Sequence, residues 1–386
     1  MVKNNRVWLF FAVACFFWFS LYAYVPYVGP YAEEMYADFR MIGLITGSYG
    51  FTQMVIRFPL GIFSDKIGKR KVFIMGGLFF AAISGIIVYL SPSPNMLLAA
   101  RSLGGVAASS WVIFMILGTA YSGRENTVKM VGTLNASNAL GRMGALLTGG
   151  FIAQFFGFSY AFLLGGLVGV LGLVLSFILV EKKPEIESPP KISELISVAK
   201  NKQLLAASIL SIIVQYISFS TTFGFIPIAA AALGASNYQL GLLGVAATLP
   251  GLLVAPAMAR VLKKIGVLKA LCIAFLLSSL ASFLTPLASE IWHLFALQVI
   301  NNIGMVASFT LLMALCIQDI KNERRAAAMG FFQAVYGLGM FLGPFIMGYV
   351  AYNFGLGAAF IFTGLVGILG IILSFFFSYR KFLVYK

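Results

Sequence analysis

Three arginines, Arg57, Arg101 and Arg142, lie inside apolar runs long enough to cross a bilayer, and no carboxylate lies there with them. A cation at that depth is costly unless it faces a watery cavity, a ligand or a polar partner. Around Arg142 the polar residues have helical spacing. Asn135, Asn138 and Arg142 recur at i, i+3 and i+7, which puts them on one face that must point into a bundle or a wet cavity. Arg101 heads a stripe shared with Gly105 and Ala108, whose small side chains let a partner helix approach. At 1.5 Å per residue, Arg101 and Arg142 both fall roughly 10 Å inside the outer membrane boundary, so they are expected to converge. Two readings stand for each. Arg142 binds substrate or couples its transport, or it ties to backbone carbonyls or an Asn; Arg101 does the former, or snorkels outward. For Arg57, which precedes Pro59 and Gly61, partnership with helix-end carbonyls is preferred.

Tyr22, the deepest of a tyrosine group at the end of the first run, is expected to line a cavity. Gln215 and Thr222 in the seventh run, and Gln298, Asn301 and Asn302 in the tenth, extend the polar set. The symmetric counterparts of the arginine stripe are Gln333, Tyr336 and Met340. His293, beside Trp292 at an outer boundary, reads as interfacial. Cys15, Cys272 and Cys316 lack ligand spacing and read as packing residues. The sequence offers no metal cluster, nucleophile triad or paired carboxylate, so neither an enzyme nor a cofactor is expected.

The elements that must position these residues follow from composition. The chain has 386 residues, 60% hydrophobic and 10% charged, with mean hydropathy +0.95. A soluble domain carries roughly 25% charged residues. With so little polar surface, the solvent must be lipid. Twelve runs, near 7–29, 41–64, 71–90, 96–120, 128–156, 159–180, 203–232, 238–262, 267–288, 291–318, 326–353 and 357–379, each approach the roughly 20 residues a spanning helix needs. They are continuous and do not alternate, which predicts an all-α membrane protein and not a barrel. Of 27 Lys and Arg, Arg40 falls in an outer loop and three are intramembrane; the rest fall on the inner side if the N-terminus is cytoplasmic. This bias predicts a multi-pass protein of the cytoplasmic (inner) membrane with both termini cytoplasmic. The net charge of +15 then reports topology and attraction to membrane lipid, and nucleic-acid binding is not needed to explain it.

One shift relates the two halves. Gly157-Phe-Ser-Tyr-Ala-Phe162 reappears as Gly355-Leu-Gly-Ala-Ala-Phe360, an offset of 198 that also carries Gly68 to Gly266, Gly132 to Gly330, Gly141 to Gly339 and Gly150 to Gly348. The expected domains are two parallel six-helix repeats, 1–180 and 203–386, joined by a cytoplasmic linker, 181–202. The linker carries Pro184, Pro189 and Pro190, and its second half is open to either an amphipathic helix or disorder.

Between the second and third runs lies Gly61-Ile-Phe-Ser-Asp65-Lys-Ile-Gly68-Lys69-Arg70-Lys71. It is not a phosphate-binding P-loop, because Arg70 stands where Ser or Thr is required. It resembles the loop motif of the major facilitator superfamily, and the fourth-run Arg101 with its small residues resembles that family's fourth-helix motif. The resemblance implies a two-lobed bundle rocking around a central site, with the loop residues Gly61, Asp65, Gly68, Lys69 and Arg70 latching the cytoplasmic side. Gly61 is expected to permit close helix approach and Gly68 a tight turn. Asp65 is expected to accept bonds from a helix N-terminus or a basic side chain. The second half replaces the Asp by Lys263, so the latch is one-sided. The exporters' fifth-helix Gly-Pro is absent, which weakens an antiporter reading.

The resulting expectation is a secondary active transporter of a small solute, working by alternating access with a coupling ion such as a proton. Intramembrane arginines without carboxylates in the same runs favour an organic or inorganic anion. The alternatives are proton-coupled efflux of apolar drug-like compounds, for which 37 Phe and 15 Met offer an adaptable lining, and a non-transporting receptor or lipid-handling protein on the same scaffold.

Overall fold

The computed structural model describes residues 4–122, 126–181, 198–321 and 324–380. The elements are helices: α1 (Asn4–Tyr22), α2 (Val28–Glu34), α3 (Phe39–Ile67), α4 (Arg70–Leu90), α5 (Pro94–Ser109), α6 (Trp111–Ser122), α7 (Thr127–Phe156), α8 (Phe158–Ser176), α9 (Lys202–Ser220), α10 (Ile226–Ala232), α11 (Asn237–Leu284), α12 (Ile291–Gln318), α13 (Arg325–Phe354) and α14 (Leu356–Tyr379). Ten stretches of the described residues are long and apolar enough to cross a membrane. The other two of the twelve expected, α3 and α7, run 29 and 30 residues, so length suffices, but glycines and polar side chains thin their hydropathy. These are the helices that carry Arg57 and Arg142.

Local chemistry sets the ends. Ser93 accepts the Met96 N–H ahead of Pro94, and Asn201 accepts the Leu204 N–H. Each supplies an acceptor that the first turn lacks. At the start of α3, Asp38 Oδ1 accepts the Met41 N–H at 2.8 Å. At the start of α11, Ser236 Oγ accepts the Gln239 N–H at 3.2 Å. Those two caps are 198 residues apart.

The same interval governs every left-handed residue described. Tyr36 (φ 61°) pairs with Gly234 (81°), Gly68 (70°) with Gly266 (76°), and Gly157 (96°) with Gly355 (85°). Gly266 interrupts α11 in a backbone conformation that L side chains rarely adopt, so α11 is two rods. The repeat is therefore one of backbone turns as well as of letters.

The chain forms two compact units. One comprises Met1–Met35, Thr52–Pro189 and Ser236–Leu242; the other comprises Tyr36–Phe51, Pro190–Ala235 and Leu243–Lys386. In the first unit α1 packs on α7 and α8, and α4 on α5 and α8; in the second, α9 packs on α12, α13 and α14. Each unit includes a short piece of the other repeat, held by a matching contact. In the second, a Cβ on Gly43 would meet Pro344 O at 2.3 Å and Gly348 Cα at 3.1 Å. In the first, one on Gly241 would meet Leu146 O at 2.5 Å and Gly150 Cα at 3.1 Å. Only bare backbones come that close.

Polarity is arranged for lipid. Leu253, Leu287 and Phe354 present most of their surface outward, while Gln53, Arg101, Gln298 and a set of serines are buried. The buried hydroxyls of Ser84, Ser110, Ser137 and Ser211 donate to carbonyls one helical turn back, which satisfies them without a second helix. The linker residues 182–197, including Ile192, Leu195 and Ile196, lie outside the described residues.

Candidate functional site

The arginine site is built on α1 and α7. Cys15, Trp18 and Tyr22 recur at i, i+3 and i+7 on α1. A Cβ on Gly141 of α7 would lie 2.4 Å from Cys15 O and 3.1 Å from Trp18 Cβ, so the two backbones touch. The next residue is Arg142. Its Cζ sits 4.3 Å over the Tyr22 ring centroid. A partly desolvated guanidinium on an aromatic face gains about 1 kcal/mol, and the ring fixes where the charge stands. An aromatic row continues from there. Trp18 is 5.8 Å from Tyr22 and 5.0 Å from Trp111, which in turn contacts Phe17 and Phe114. Trp18 is 7% exposed, and its indole N–H has no hydrogen-bond partner among the described residues.

Arg101 is 3% exposed on α5, so its head is enclosed by protein and does not reach outward. Gly105 and Ala108 on the same stripe are buried with it. Thr52 of α3 donates to Ser102 O at 2.8 Å, and Ser109 donates to Gln53 O at 3.3 Å, which pins α3 to α5 on either side of that stripe. Arg142 and Arg57 are half-buried, Asn138 is half-buried and Asn135 exposed.

The second unit carries a neutral polar cluster. Where α9 ends, the chain makes a π turn over Thr221–Phe225. Such wide turns recur at functional sites, because they free backbone groups and re-aim side chains. Asn301 Nδ2 donates to Thr221 Oγ1 at 2.9 Å, and Asn302 Nδ2 donates to Thr222 Oγ1 at 3.2 Å and to Gln298 O at 2.9 Å. Thr222 Oγ1 donates to Gln298 Oε1 at 3.4 Å. Asn301 is buried, and its Oδ1 has no partner among the described residues. Gln215, half-buried two turns earlier on α9, takes no part in these described bonds. Thr221 was not singled out in the sequence. The signal was its place beside Thr222 after Ser218 and Ser220, a polar run at the equivalent of the break between α1 and α2.

In the loop after α3, Gly68 turns the chain at φ 70° and its N–H donates to Ser64 O at 2.9 Å. Among the described residues a Cβ on Gly61 would meet nothing within 4 Å, so they do not make the close helix approach expected there. Lys69 is exposed, Arg70 is buried, and the Asp65 side chain lies outside the described residues. The carboxylate that does meet a helix N-terminus here is Glu181, assigned to the linker on sequence grounds. Its two oxygens accept the N–H groups of Arg70 at 2.9 Å and Lys71 at 2.7 Å, capping α4 with a full negative charge. Lys71 Nζ donates to Phe177 O at 2.6 Å, closing the clasp on the end of α8. His293 starts α12, where its Nδ1 accepts the Glu290 N–H at 3.4 Å.

Two repeats of membrane-length helices, with cations and amides enclosed and hydrocarbon outside, define a multi-pass carrier of small molecules. The chain belongs to the Major Facilitator Superfamily, which it matches over residues 7–221 and 208–382. It is 26% identical to an uncharacterized MFS-type transporter of Methanocaldococcus jannaschii over 367 residues, covering 91% of this chain and 92% of that one. It is 25% identical to the multidrug resistance protein MdtG of Proteus mirabilis over 366 residues, covering 91% and 90%. Its fold is like that of a bacterial homolog of the human lysosomal transporter Spinster, with a TM-score of 0.82 over 100% of this chain and 99% of that one at 15% identity.

Proposed function

We propose that this transporter carries a small organic or inorganic anion across the cytoplasmic membrane by alternating access, coupled to an ion gradient. The observation that carries the reading is Arg142 seated on Tyr22, with Arg101 enclosed in the same unit. None of the 12 acidic residues lies within the twelve apolar runs, so the sequence supplies no carboxylate at the depth of these guanidinium groups. An anionic solute supplies that charge. In this reading the two six-helix repeats, 1–180 and 203–386, move as the halves of the cycle, and the loop from Gly61 to Lys71, with Asp65, latches the inner side. Asn135 and Asn138 extend the Arg142 face, and Gln215 and Asn301 serve the second repeat.

A second reading, proton-coupled efflux of apolar compounds, draws on the likeness to the multidrug resistance protein MdtG. Counterflow in proteoliposomes separates the two. The first predicts exchange of at least one member of a panel of carboxylates, phosphate and sulfate, abolished in Arg142→Ala. Exchange of neutral lipophiles alone, unchanged in Arg142→Ala, overturns it.

A further inference from the structure

A buried donor without a partner is costly, so each one calls for an explanation such as strain, an ordered water or a bound ligand. The Trp18 indole N–H is such a donor, and its place in the aromatic row narrows what that explanation is. The row runs Arg142, Tyr22, Trp18, Trp111, each in contact with the next. At one end stands a fixed cation. Tyr22 and Trp111 on either side of Trp18 are only half-buried, so each keeps part of its surface open. Trp111 begins α6 immediately after the break that ends α5. A merely packed aromatic core would enclose all three rings, and would not set an unpaired N–H between an arginine and an open indole.

We propose that the solute is an aromatic carboxylate. Its carboxylate is held by Arg142 and the Trp18 N–H, and its ring stacks on Trp111. This rests on the anion reading above and deepens it. An inorganic anion would use the first two groups and leave the open part of the Trp111 ring unmatched. Offset and edge-to-face aromatic pairs add about 0.5–1.5 kcal/mol beyond area burial, so a ring is worth roughly two- to twelvefold in affinity over a saturated ring of like size.

The test uses the full chain in detergent micelles and three probes: benzoate, cyclohexanecarboxylate and benzyl alcohol. Ligand-dependent shifts in melting temperature give the apparent Kd of each. Benzoate is expected to bind roughly two- to twelvefold tighter than cyclohexanecarboxylate, and benzyl alcohol not measurably. Trp111→Leu should make the two acids equal. Trp18→Phe, which keeps a ring and removes the N–H, should weaken both. Equal binding of the two acids by the unaltered protein overturns the aromatic assignment and leaves the anion reading intact, without relying on any variant. An unchanged affinity for both acids in Trp18→Phe overturns the role of the N–H. Binding of neither acid overturns the aromatic carboxylate and leaves other anions to the counterflow panel, whereas binding of benzyl alcohol as tightly as benzoate shows that the charge is not read and sinks the anion reading itself.

Discussion

Arg142 is held by shape as much as by charge. The central carbon of its guanidinium sits 4.3 Å over the Tyr22 ring. A lysine there keeps the charge but loses the plane and the forked donors. Arg142→Lys is therefore expected to weaken anion binding by about tenfold, measured by the same melting-temperature titration. An unchanged affinity would show that only net charge matters. Glu181 makes a separate prediction. Because its carboxylate takes two N–H groups at the start of α4, Glu181→Gln should lower stability by about 0.5–2 kcal/mol, read as a drop in melting temperature, with Glu181→Ala at least as low. Arg142 and Tyr22 were legible in the sequence, since a cation and a tyrosine in apolar runs are conspicuous. Trp18, Trp111 and Glu181 were not: an indole in an apolar run reads as core, and an acid after a helix reads as linker. Gly61 was legible wrongly, because a glycine can serve a close contact or none.

At the scale of the helix, the seam between α1 and α7 depends on Gly141. Gly141→Ala would drive a methyl group to 2.4 Å from Cys15 O, where the neighbour is backbone and cannot swing aside. The expected result is a loss of about 1–3 kcal/mol and of anion binding together, as Arg142 leaves Tyr22. Gly132 on the same helix is the control: a Cβ there meets nothing within 4 Å, so Gly132→Ala should be neutral or stabilising by up to about 1 kcal/mol. Equal effects of the two substitutions in thermal unfolding would refute the seam.

The start of α3 responds to acid. The Met41 N–H, and then Arg40, hold the Asp38 carboxyl below its ordinary range. A lowered folded-state value means that the cap stabilises above the unfolded carboxylate pKa of about 4 and loses this as pH falls through the lower folded value. The stability gap between the natural chain and Asp38→Asn should therefore be present at neutral pH and close as pH falls below about 4. Ser236, the equivalent cap of α11, is uncharged, so Ser236→Ala should cost the same across that range.

Across the whole chain, the charge bias makes a topological prediction. Ser289→Cys, before α12, should react with a membrane-impermeant maleimide from outside intact cells. Lys69→Cys should react only after permeabilisation. The reverse pattern would invert the topology on which the anion reading's site depth depends.

Hydropathy and the interval of 198 sufficed, from the sequence alone, for helices in lipid and two repeats, and residue type for a turn at Gly68. Those properties are local or periodic, and residue type states them directly. Tertiary structure decided which polar groups meet. It set Thr221 and Thr222 against Asn301, Asn302 and Gln298 through a π turn, brought Trp111 beside Trp18, and placed Glu181 on α4. The physical reason is that each such contact joins residues 76 or more positions apart and costs only a small angular change in a helix to make or break. Helical phase is lost over that distance in sequence, and is restored only when the backbones pack.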